Sequence, residues 1–275
     1  MYRYGINILP SLDDKFLYHF TSAESLMKIL ENMTLKLSSF EHLNDLNEKE
    51  IKFVLQDWLH GLEIKKFITK NCKLISFSRN FELEKGFCEC GCNHPRMWAQ
   101  YAENNKGACI VINENKLIQH NNNYLNELFW KIENVEYEPY MTNENPVESD
   151  VPESFVKKNY RTIFFEKHKD WQQEDERRFL CINGPDFLTI NDCIEFICLG
   201  NNFESENYEK LSEIVISSVK NGLTPLTPHD FTFQLNAQGR SLPMDNAGRI
   251  IEYIENKRDK ANEYINYLNE NGYTI

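Results

Sequence analysis

Trp171-Gln172-Gln173-Glu174-Asp175-Glu176-Arg177-Arg178, followed directly by Phe179-Leu180-Cys181-Ile182, reads as a charged lead-in to a buried strand. A strand that begins by Glu174 repeats its side chains with period two, so Glu174, Glu176 and Arg178 share one face and Arg177 points to the other. Two like charges on one face repel. A chain tolerates that in solvent, beside cations, or at a site that uses them. The plain alternative is a solvated lead-in with an internal salt bridge to Arg178.

Other strand-like runs lie on either side of this one: Leu17 to Thr21, Thr34 to Phe40, Lys73 to Ser78, Ala108 to Ile112, Val135 to Tyr137 and Ile194 to Gly200. Helical stretches are expected over Ala23 to Met33, capped by Thr21 or Ser22, over Glu50 to Phe67 with Phe53, Val54, Leu55, Trp58 and Leu62 inward, and over Met97 to Ala102. Others are expected over Leu117 to Ile132, Phe155 to His168 and Tyr208 to Asn221. An amphipathic helix over 246–270 closes the chain. Lys106-Gly107 resembles a helix end with glycine in the left-handed position, and residues 140–153 a loop. Short strands among helices, without regular βαβ alternation, predict an α+β fold in one domain over 1–275.

The 275 residues are long enough for a substantial core, and 41% hydrophobic with 13% aromatic residues excludes a wholly disordered chain. A formal net charge of −12 disfavours nucleic acid as the default partner. No window approaches an uncharged apolar 18-mer and Met1-Tyr2-Arg3-Tyr4-Gly5 has no signal-peptide pattern, so a cytoplasmic protein with no membrane partner is expected. In that compartment the eight cysteines are free thiols or metal ligands rather than disulfides. Cys72, Cys109, Cys181, Cys193 and Cys198 read as small core residues.

Tyr18-His19-Phe20-Thr21-Ser22, Leu43-Asn44-Asp45, Ser76-Phe77-Ser78, Met97-Trp98-Ala99-Gln100-Tyr101-Ala102, Trp171 to Glu176 with Arg178, and Ile197-Cys198-Leu199-Gly200 together resemble a large bacterial domain family of unknown function. The match runs in order through most of residues 15 to 220. The order of a strand-borne His, a middle strand carrying Ser, and a late Glu opening a strand is also similar to NAD-dependent ADP-ribosyltransferases, the DarT-type toxins in style. It departs from them in lacking an evident aromatic to stack on nicotinamide. That resemblance implies NAD as substrate, an acceptor macromolecule, a split sheet, and a toxin or phage-defence role. Glu176 would stabilise the oxocarbenium ion formed on cleavage of the nicotinamide–ribose bond, and Glu174 would orient or deprotonate the acceptor. His19 and Thr21 would bind the adenosine ribose or phosphates. Ser76 or Ser78 would support Glu176, Arg178 would line the site, and Tyr18 or Tyr101 would stack. For Trp98 a role as core anchor is the better reading.

Cys88-Glu89-Cys90-Gly91-Cys92-Asn93-His94 gathers three thiols and an imidazole, a donor set suited to zinc. The spacing is not the usual Cys-x-x-Cys knuckle, and reduced thiols exposed in a mobile loop are the preferred expectation. Walker, Gly-x-Gly-x-x-Gly, His-Glu-x-x-His and Gly-x-Ser-x-Gly motifs are absent. Two functions remain open: an NAD-consuming transferase or hydrolase, and a non-catalytic interaction or regulatory module of a defence system. In the enzyme the Glu pair should line a cleft with His19. In the module it should pair with Arg177, Arg178 or lysines on the surface.

Overall fold

The computed structural model describes residues 16–40, 58–82, 88–139, 146–147, 149, 151–219, 223, 225–227, 230–233 and 246–272. Leu43-Asn44-Asp45, Phe53, Val54, Leu55 and the side chain of Trp58 lie outside them, and Leu62, expected inward, is 37% exposed. The architecture is α+β, and it falls into two compact units: residues 1–35, 79–120 and 189–275 in one, 36–78 and 121–188 in the other. Both units are discontinuous in sequence, so no composition shift along the chain marks the division.

In the first unit, Ala108–Asn113 lies between two antiparallel neighbours, Phe16–Thr21 and Ile194–Leu199, and Phe231–Phe233 adds a parallel strand beyond Ile194–Leu199. Ala108, Cys109, Ile110, Val111 and Ile112 are all fully buried. Burial on both faces explains why this strand is an unbroken apolar run rather than an alternating one. Tyr18, Phe20, Cys109, Val111, Phe196 and Cys198 share a core with Trp98, Cys90 and Cys92. The period of two places them on one side. The helix Ala23–Asn32 is capped by Ser22, whose side chain accepts from the Ser25 amide, and it buries Leu26, Met27, Ile29 and Leu30. It packs against Ser205–Ser218.

In the second unit, Glu176–Ile182 is the central strand, antiparallel to Cys72–Ser78 on one side and Phe129–Asn134 on the other. Its core joins Cys72, Leu74, Leu180 and Ile182 to Ile64, Ile68, Phe155, Val156, Ile163 and Phe164. Part of the expected helix Leu117–Ile132 is in fact this third strand. The helix ends at Leu125, and Phe129-Trp130-Lys131-Ile132, rich in β-formers, gains more by pairing with the central strand than by continuing a helix. The expected helix Phe155–His168 likewise breaks at Asn159 into Pro152–Lys158 and Tyr160–Phe164. Glu166–His168 then turns into a strand parallel to Glu136–Glu138.

The C-terminal helix is two helices, Asn246–Asn256 and Arg258–Glu270, with Lys257 between them at a non-helical φ of −111° and ψ of 24°. Gly107 does not take the left-handed position. Glu103, Asn104 and Asn105 do, with φ of 49°, 54° and 67°. Asn tolerates this conformation better than most residues. Gly107 is required for a different reason: a Cβ there would sit 2.1 Å from the Thr21 carbonyl oxygen, which is backbone and cannot swing aside. Gly107→Ala is therefore expected to destabilise the fold by about 1–3 kcal/mol, read as a lower urea midpoint at unchanged slope. An unchanged midpoint would show that the contact relaxes freely.

Candidate functional site

The charged lead-in folds differently from a simple strand extension. Lys169–Glu174 is a 3₁₀ turn, Asp175 is left-handed at φ 44°, and the strand begins only at Glu176. Glu174 and Glu176 still converge, but through this turn rather than through strand alternation. Both are buried, at 3% and 4% exposure, together with Arg178 at 1% and Lys167 at 6%. A solvated surface lead-in is excluded.

The four side chains form one neutral set of two anions and two cations. Lys167 Nζ lies 2.7 Å from Glu174 Oε2 and 3.3 Å from Glu176 Oε2. Arg178 donates from Nε to Glu176 Oε1 at 2.8 Å and places a second nitrogen 2.7 Å from the same oxygen. Its remaining nitrogen donates to the Phe164 carbonyl. Lys167 also sits over the Trp171 ring, 4.7 Å from its centroid, a cation–π contact that strengthens where water is excluded. The backbone of Glu176 is fixed too: its amide donates to the Tyr137 hydroxyl at 2.9 Å and its carbonyl accepts from the Val135 amide at 2.9 Å.

Burial alone would raise the Glu176 carboxyl out of the usual range. The Arg178 and Lys167 charges, with hydrogen bonds from Ser76 and Arg178, outweigh it and lower its pKa to about 2. The carboxylate is thus ionised in the interior. Burial pushes the Tyr137 phenol up, with the Glu176 charge adding to it.

Of the other expected site residues, Ser76 is half-buried opposite Arg178 in the ladder and Ser78 is fully buried opposite Glu176. Ser78 Oγ donates to the Glu174 carbonyl at 3.0 Å, so both serines support the carboxylate-bearing turn. His19 and Thr21 belong to the first unit. His19 is half-buried opposite Ile110, and Thr21 is buried opposite Ala108 at the strand end. Tyr101, half-buried at the end of Pro95–Tyr101, packs on the core around Trp98. Trp98 is a core anchor, with its indole nitrogen donating to the Cys92 carbonyl at 2.6 Å and its ring edge-on to Phe20. Tyr18 is wholly buried and donates to Asn80 Oδ1 at 2.6 Å, so its ring packs inside the core.

The cysteine loop is not exposed as expected. Cys90 and Cys92 are 6% and 4% exposed and His94 6%, because the loop is fastened inward: Asn80 Oδ1 accepts from the Gly91 amide as well as from Tyr18. Gly91 packs so closely on Tyr18 that a Cβ would lie 2.3 Å from its ring. The side chain of Cys88 lies outside the described residues. Among the described residues, no group of three or more His, Cys, Asp or Glu side chains is arranged to hold a metal ion.

Sequence reasoning missed Lys167 and Tyr137. Lys167 was hidden inside an expected helix. The available signal was the number of carboxylates before an apolar strand, which demands more than one buried cation; of the two lysines that closely precede them, Lys167 is buried and Lys169 is exposed.

Residues 97–179 match the family model described as Protein of unknown function (DUF2971). The expected likeness to an uncharacterised domain family is borne out, and the matched segment ends on the strand that carries Glu176 and Arg178. No curated protein and no solved structure matches the chain. Among the described residues no helix is long and apolar enough to cross a membrane.

Glu176→Gln is nearly isosteric and would leave the fold untouched if the carboxylate were solvated. Here it removes the anion that Arg178 and Lys167 share in the interior, and a stability loss of about 3–5 kcal/mol is expected. The sign of the pH dependence follows from the lowered pKa. The contribution of Glu176 is complete above about 4.5 and is lost as pH falls toward 2. Denaturant titrations of the parent should show stability dropping through that window, and Glu176→Gln should flatten the drop. Equal slopes in parent and variant would remove Glu176 from the acid response.

Proposed function

We propose that this chain is a non-catalytic interaction or regulatory module in which Glu174, Glu176, Lys167 and Arg178 form a structural network. The observation that carries this reading is the saturation of Glu176: one oxygen takes Arg178, the other takes Lys167, and the residue is 4% exposed. A carboxylate that stabilises an oxocarbenium ion must present an oxygen to the sugar, and both oxygens here already hold cations. Pairing of the Glu residues with Arg178 and a lysine is the behaviour expected of a module, although the pairs lie in the interior rather than on the surface.

A second reading, NAD consumption by ADP-ribosyl transfer or hydrolysis, is favoured by one specific observation. Ser76 hydrogen-bonds Glu176, which stays ionised in a dry setting. Such support and charge are what a ribose-facing carboxylate requires, and electrostatic preorganisation of this kind is worth about 10²–10³-fold in rate. On this reading Glu174 would act on the acceptor and His19, Thr21 and Tyr101 would hold the dinucleotide, in a toxin or anti-phage effector. Either function suits the reducing cytoplasm, where the seven described cysteines would remain the free thiols they are.

Incubation of the purified chain with NAD, followed by chromatography for nicotinamide and by detection of labelled macromolecules, separates the two. The module releases no nicotinamide above the blank and labels nothing. Release that falls at least about 100-fold in Glu176→Gln, at a temperature where circular dichroism shows the variant folded, would overturn the module in favour of the enzyme.

A further inference from the structure

We propose that Cys90 and Cys92 are an oxidation site, a thiol pair that closes to an intrachain disulfide when a small peroxide reaches it. The two sulfurs lie 2.8 Å apart within hydrogen-bonding contact, against about 2.05 Å for the bonded pair. Residues two apart cannot separate by more than roughly 7 Å even when extended. Cys92 sits inside the 3₁₀ turn Gly91–Asn93, which folds the pair back into the roughly 4.4–6.8 Å Cα range that disulfides occupy. Closure therefore needs a small displacement of the side chains and no rearrangement of the sheet.

The surroundings favour this partner choice. Two further thiols share the core, Cys109 and Cys198, and Cys198 hydrogen-bonds with Cys92. Those two are register partners on adjacent strands, held by the ladder. Cys90 and Cys92 lie on a turn fastened at its ends, by Tyr18 and Asn80 on one side and Trp98 on the other. The turn holds the pair in place while leaving its sulfurs facing each other.

In the reaction one sulfur, as thiolate, attacks the peroxide O–O bond, becomes a sulfenic acid and releases hydroxide. The second thiol attacks that sulfur, the S–S bond forms, and the sulfenic oxygen leaves as water. Two thiols and one peroxide give one disulfide and two waters, the sulfurs losing the two electrons that the peroxide gains. The hydrogen bond with Cys92, and then burial, push the Cys90 thiol far above its ordinary range. The reduced pair is therefore protonated and reacts slowly.

The test uses the full chain, reduced, freed of reductant without oxygen, and exposed to hydrogen peroxide, then unfolded and alkylated with iodoacetamide. Cleavage after Lys85 and Arg96 releases one peptide holding Cys88, Cys90 and Cys92. The expected product lacks two hydrogens and carries a single alkyl group, and prior treatment with a reductant restores three. Cys88→Ser should keep the two-hydrogen loss and carry no alkyl group, whereas Cys92→Ser should abolish the loss. If Cys92→Ser does not fold, the Cys88→Ser result decides alone. Full alkylation of all three cysteines after methionines elsewhere have oxidised would overturn the proposal. So would sulfinic acid without a crosslink, or a crosslink to the Cys109 or Cys198 peptide.

Discussion

Glu176 holds an ionised carboxylate inside the second unit, and everything around it answers that single electrostatic demand. An isolated charge in such a setting would neutralise itself rather than stay. Arg178 reaches it from two positions along the same strand, and Lys167 comes from a short parallel strand. Tyr137, the register partner of Lys167, receives the Glu176 amide. Ser76 and Ser78 act from the neighbouring strand, one on the carboxylate and the other on the preceding turn. Two strands, a turn and a parallel pair are thus fixed relative to one another by one set of charges. A buried network of this kind is weak evidence for stability as such. What it does join is the start of the central strand and the short parallel pair that carries Lys167.

The first unit solves a different problem. Its central strand is buried on both faces, so its specificity comes from shape. Tyr18, Gly91, Cys92 and Trp98 interlock around a turn in which a glycine lies against an aromatic ring and an indole nitrogen meets a carbonyl. Polar groups there pair largely with one another: Tyr18 and the Gly91 amide both donate to Asn80 Oδ1, and Trp98 donates to the Cys92 carbonyl. Cys90 and Cys92 are consequently core residues first, whatever chemistry an oxidant can later draw from them.

Much of this was legible in the residues. The apolar runs at Ala108 and Phe179 announced buried strands because hydrophobicity without alternation has few other meanings in so short a segment. Ser22 and Trp98 behaved as their types suggest. Ser76 and Ser78 were expected beside Glu176 only from the transferase resemblance, and the pairing of their strands brings them there. What stayed hidden was long-range. Phe129 to Asn134 is a strand because Glu176–Ile182 lies beside it, and its β-forming residues alone do not decide against continuing the helix before it. Lys167 was concealed for the same reason. Glu174 and Glu176 meet through a left-handed residue at Asp175, a backbone reversal that hydrophobic periodicity does not register. The inward cysteine loop depended on Tyr18, some seventy residues earlier in the chain.

The backbone junction beside Gly107 has one further consequence. Gly200 donates its amide to the Gly107 carbonyl, and Asn202 donates to the Asn105 carbonyl, both at 2.9 Å. A Cβ at Gly200 would strike the Asn105 carbonyl oxygen at 2.1 Å. Two connecting segments, each of the kind that ordinarily drifts in length between related proteins, are here laced backbone to backbone. Neither can gain or lose a residue without unfastening the other. Length variation among relatives should therefore collect elsewhere on the chain, and these two turns should change together or not at all.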